Sequence, residues 1–131
     1  DKRLDLPLEV LDDFVAEARE VHRHNKWMNY ALPLHRCREL GYHDRLFDLM
    51  DEKTLTKLEV RDYCALLFGT AHEDIPSPED DWRGFMQYIE ETQSMEKDQW
   101  DPIRKRPGPW INLRLLNKVY NGSFLGLGAK P

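Results

Sequence analysis

From Leu8 onward the apolar residues Leu8, Leu11, Phe14, Val15, Ala18 and Val21 recur at helical spacing, while Glu9, Asp12, Asp13, Glu17 and Glu20 occupy the opposite positions. A stripe of that period predicts an amphipathic helix over 7–24, with continuation toward Tyr30 left open. Pro7 suits the first turn, where a missing N–H costs nothing. Acids early and Arg and His late agree with the helix dipole.

Pro33 then interrupts or restarts the chain, and the apolar set Leu34, Cys37 and Leu40 resumes before Gly41. This predicts a helix over 33–40, a turn at Gly41, and a second short helix over 43–50 carrying Leu46, Phe47 and Met50. The clearest local signal is Leu55-Thr56-Lys57-Leu58-Glu59-Val60. Thr56 and Glu59 have capping-box spacing, and Leu55 and Val60 have that of a hydrophobic staple. The helix is therefore expected to start at Lys57 and to stop at Gly69, the residue type favoured just past a helix end.

Residues 70–77 read as a loop. Ser77-Pro78 reads as the N-cap and first position of the next helix, with core positions Trp82, Phe85, Met86, Ile89 and Met95. That pattern fades between Gln93 and Trp100, and Pro102, Pro107 and Pro109 forbid a continuous helix beyond it. Pro109 can open a last helix, with either Trp110, Leu113, Leu116 and Tyr120 or Ile111, Leu115 and Val119 turned inward. Asn121-Gly122 closes it. No segment alternates convincingly at period two. The fold expected is all-α: a compact bundle of five to seven short helices with an irregular proline-rich segment before the last one. With 131 residues, a single helical domain 1–131 with an extended tail over 123–131 is expected.

Charge changes the picture most. The chain carries −5 overall, but residues 73–101 hold ten acids against only Arg83 and Lys97, and residues 102–131 hold six bases and no acid. Two explanations are open. The acidic and basic stretches neutralise one another inside the fold, or the basic stretch is presented to an acidic partner, protein or nucleic acid. Arg104-Lys105-Arg106 also forms a short basic run of the kind found in nuclear localisation signals.

Candidate chemistry is sparse. Cys37 and Cys64 sit in apolar helical contexts with no CxxC or zinc spacing, so core packing of two reduced thiols in an intracellular protein is expected. The five histidines form no ligand pattern. His22 and His24 point to different helix faces, and the acid–His pairs Glu20/His24 and Glu39/His43 sit in no motif, so exposed or helix-terminal positions are expected for each. There is no GxSxG and no phosphate loop. The Asn121-Gly122-Ser123 glycosylation pattern reads as a helix stop. No apolar run approaches the about 18 residues of a membrane span, so no membrane partner is expected. A helix-turn-helix over 43–50 and 57–68 is weakened by the neutral balance of Lys57, Arg61, Glu59 and Asp62.

The chain begins at Asp1 and is expected to be a piece of a larger intracellular protein, nuclear or cytoplasmic, with a processed mature chain as the alternative. The function expected is a non-enzymatic interaction module of a regulatory or scaffolding protein, with no cofactor. It would present a helical groove or a basic-aromatic surface to a protein or peptide partner, an acidic one in particular. The surface residues are Trp100, Arg104, Lys105, Arg106, Trp110, Arg114 and Lys118, because Trp and Arg dominate binding hot spots. A nucleic-acid-binding domain using the same basic segment is the alternative, with aromatic side chains stacking on bases. A small helical enzyme or cofactor-binding protein is the third reading.

Overall fold

The computed structural model describes residues 8–41 and 44–121. Pro7, His43, Gly122, the Leu8 side chain and the expected tail 123–131 lie outside the described residues. The chain is predominantly helical: α1 (Leu8–His24), α2 (Leu32–Glu39), α3 (Arg45–Leu49), α4 (Lys57–Phe68), α5 (Trp82–Gln93) and α6 (Leu113–Tyr120). Between α5 and α6 lies one antiparallel hairpin, β1 (Gln99–Asp101) with β2 (Arg106–Gly108). That hairpin stands where an irregular segment was expected. The described residues fall into two compact units, those within Asp1–Thr54 with Asp98–Trp110, and those within Leu55–Lys97 with Ile111–Pro131.

In the first unit the stripe of α1 is buried at Phe14, Ala18 and Val21. The helix ends at His24 because Asn25 leaves the helical path. The Asn25 side chain donates 2.9 Å hydrogen bonds to the carbonyls of Met50 and of Lys53. The aromatic run beyond it, Trp27, Met28 and Tyr30, is buried without being helical. Pro33 sits at the start of α2, where proline is tolerated. Gly41 takes the left-handed conformation at φ 83°, and Asp44 then caps α3 through the amide of Leu46. Two expectations fail on α2. Cys37 is exposed, and His35, expected at the surface, is buried. The helix has eight residues and buries only Leu34 and His35, so its inward stripe passes through the histidine and leaves Cys37 outside.

In the second unit both halves of the capping box at Thr56 and Glu59 are made, and α4 ends on left-handed Gly69. Leu55, Val60, Tyr63, Cys64 and Ala65 are buried. Burial of a large apolar side chain of this kind contributes about 1.5–3 kcal/mol. The loop beyond includes a 3-10 turn at His72–Asp74.

The start of α5 differs from the expectation at Ser77-Pro78. The Ser77 hydroxyl and carbonyl instead accept from the amides of Asp80 and Asp81 and close a separate turn. Asp81 is the true cap, accepting from the amide of Gly84 at 3.0 Å. A Cβ at Gly84 would meet that carboxylate at its present position, so a side chain there would require the Asp81 carboxylate to shift. Phe85 and Ile89 are buried, but Met95 lies past the helix end and is 86% exposed.

The start of α6 is also later than expected. Gln93 donates to the Ile111 carbonyl at 3.0 Å and accepts from its amide at 3.1 Å. Both backbone groups of Ile111 are thus bound by Gln93, and the helix begins beyond it. Asn112 caps it instead, through the amide of Leu115. Trp82 joins α5 to α6, donating to Asn117 at 2.8 Å and packing 6.0 Å from the Tyr120 ring. Val119, one of the residues of the second alternative face, is exposed, while Leu116 is buried.

Candidate functional site

The sequence-selected residues fall into two groups. Trp100, Arg104, Lys105, Arg106 and Trp110 belong to the first unit, and Arg114 and Lys118 to the second.

The hairpin in the first unit is built around one carboxylate. Asp101 is only 5% exposed. Its Oδ1 accepts from the amides of Ile103 at 2.8 Å and Arg104 at 3.1 Å, and its Oδ2 from the Arg104 guanidinium at 2.9 Å. Its carbonyl accepts from the Lys105 amide at 2.7 Å. Four loop residues thus close the hairpin, a common connection length. Lys105 supplies the required left-handed position, φ 59°, although it is not glycine. Ordinary residues rarely adopt this conformation unless surrounding bonds hold it. Here the Asp101 carbonyl does so.

The strands pair Trp100 with Pro107 and Asp101 with Arg106. A proline is tolerated there because β2 is an edge strand. The base of the hairpin is fixed by Asn29, whose side chain donates to the carbonyls of Gln99 and Pro109, each at 3.3 Å, and whose amide donates to Trp110 at 3.0 Å. Trp110 is buried, at 7% exposure, and Trp100 half-buried. Trp110 is therefore an anchor of the turn rather than part of its presented surface.

The three consecutive bases are divided in role. Arg104 is half-buried and neutralised by Asp101, whereas Lys105 and Arg106 are exposed. The positive field of Arg104 also reaches His22. There burial first, then Arg104 and Lys26, hold the imidazole below its usual pKa, with Asp101 opposing.

In the second unit Arg114 and Lys118 are exposed on α6. Arg114 lines an open groove of about 580 Å3 between α5 and α6, together with Arg83, Met86, Glu90, Glu91 and Leu113. Its lining combines two cations and two carboxylates with the apolar Met86 and Leu113.

Sequence reasoning missed a third feature, in the first unit. Arg38 spans Glu17 at 2.7 Å and Asp51 at 3.1 Å, and also donates to the Phe47 carbonyl at 2.9 Å. Burial, with a hydrogen bond to Asp51, pushes the Glu17 carboxyl up to about 7 against the opposing pull of Arg38. Beside this cluster the Tyr30 hydroxyl lies 3.0 Å from His35 Nδ1. Burial holds His35 below its ordinary pKa, and so neutral. Nothing in the spacing of Glu17, Arg38 and Asp51 signals their meeting, since each lies on a different segment.

Among the described residues no three His, Cys, Asp or Glu side chains gather as a metal-binding group, and no helix is long and apolar enough to cross a membrane. The chain matches no protein-family model, no curated protein and no solved structure.

Proposed function

We propose that this chain is a non-enzymatic protein–protein interaction module of an intracellular regulatory or scaffolding protein, and that the basic hairpin turn is its contact with an acidic partner. The observation that carries the reading is the division of roles within Arg104-Lys105-Arg106. One base is spent on the Asp101 carboxylate, and the other two are exposed on a turn braced by Asn29 and Trp110. A turn held in place loses little conformational freedom on binding, so more of each charge contact appears as affinity. Exposed cations on such a turn also speed encounter with an acidic surface. Both cysteines are free thiols, which accords with a reducing compartment.

The test is a binding titration with an acetylated hexaglutamate peptide, comparing the wild type with the K105E/R106E variant. Loss of at least about tenfold in affinity is expected on reversing two contacting charges. Equal affinity of the two proteins overturns the assignment to this turn. Preference for a single-stranded oligonucleotide over the peptide, with affinity falling steeply in salt, would transfer the turn to nucleic-acid binding.

A further inference from the structure

The groove between α5 and α6 carries an inference separate from the hairpin. All of its lining belongs to the second unit, and its apolar part is the half-buried pair Met86 and Leu113. The charges around that pair are ordered along α5. Arg83 stands in the first turn and Glu90 seven residues later, with Met86 between them. Seven residues are two helical turns, about 10 Å, so the three lie along one face. Arg83 and Glu90 are both exposed, and neither makes an ion pair among the described residues. The neighbouring Glu91 accepts from Gln87 at 3.2 Å, which leaves Glu90 as the uncommitted carboxylate.

This order decides what fits the face. A segment bearing only acids meets Glu90 and Glu91 at one end, and a segment bearing only bases meets Arg83 at the other. Like charges brought together in this way are unfavourable. The matching surface has an apolar centre flanked by the two charge signs in reversed order. An antiparallel copy of α5 has that order. A two-fold axis midway between positions 83 and 90 sets Arg83 of each copy against Glu90 of the other and brings both Met86 side chains to the axis. Each ion pair is then made twice, as an isologous interface requires.

We infer that this face of α5, with Leu113 of α6 beside it, is an interface with a second copy of the chain. The paired Met86 side chains leave water at its centre, and the reciprocal Arg83–Glu90 pairs fix the antiparallel register.

The test measures self-association of the full chain by sedimentation velocity, up to millimolar concentration, for the wild type, Arg83→Glu, Glu90→Arg and the variant carrying both changes. Circular dichroism checks that each variant is folded, which the exposure of both positions favours. The wild type is expected to approach twice the monomer mass. Either single change sets like charges together at both pairs and is expected to weaken the dimer at least about tenfold. The double variant restores both pairs in reverse and is expected to dimerise like the wild type. An equimolar mixture of the two single variants is expected to form a mixed dimer more tightly than either variant associates alone. A wild type that stays monomeric overturns the inference, whether or not the groove takes up an added helical peptide. Dimerisation unmoved by the single changes also overturns it. So does a double variant no tighter than the singles, because a loss that reversing both charges does not repair belongs to α5 itself and not to a pairing between copies.

Discussion

Asp101 and Arg104 form a closed unit in which one buried carboxylate binds both the backbone amide and the guanidinium of the same arginine, at 3.1 and 2.9 Å. The pair shapes the turn that exposes Lys105 and Arg106. Removing the carboxylate strands two amides, so Asp101→Ala is expected to cost about 1–3 kcal/mol of stability. Asp101→Asn retains an acceptor oxygen and should cost less. Urea unfolding of the two variants checks the order. Equal, negligible effects would mean that the turn holds its shape without Asp101.

The Glu17 carboxyl, raised from 4.5 to about 7, gives a pH dependence of definite sign. Between these values the folded protein binds more protons at this site than the unfolded chain does. Stability contributed here is therefore present below about pH 4.5 and declines as pH rises through about 7. Glu17→Gln should flatten the decline in the urea midpoint over that window. A wild-type midpoint rising with pH there, with the same slope in the variant, would contradict the assignment.

Much of this fold was legible in local sequence chemistry. Thr56 and Glu59 act only on backbone within one turn, and Gly69 supplies a conformation that other residues resist, so their helix was bounded correctly at both ends. Ser77-Pro78 and Pro109 misled because an equally good local signal lay four residues or fewer downstream. Asp81 with Gly84 and Asn112 after the Gln93–Ile111 clamp were the ones used. The hairpin gave no alternating pattern because its strands have three residues each and one contains Pro107. In the candidate site, the basic run was visible as charge. Its division into one spent and two presented cations depends on Asp101, which the sequence places in the acidic stretch. The Glu17–Arg38–Asp51 cluster and the buried His35 depend on contacts across 13 and 21 positions, which no short-range rule reads.

The two thiols should react very differently. Cys37 is exposed, whereas Cys64 is buried and its thiol is pushed well above its ordinary range by that burial. Thiolate, not thiol, is the reactive form. Ellman's reagent is expected to modify one thiol rapidly in the folded protein, with the second reacting only on unfolding. Cys37→Ser should abolish the rapid phase. A rapid phase that survives in that variant would contradict the burial of Cys64.

The interaction reading rests on where an acidic ligand lands. Backbone amide shift mapping during titration with the hexaglutamate peptide tests this most directly, because it locates contact residue by residue. The expected result is a set of saturable shifts concentrated at Ile103, Arg104, Lys105 and Arg106. Shifts confined to Arg114 and Lys118, or no saturable shift at low salt, would contradict the assignment of the hairpin turn as the binding surface.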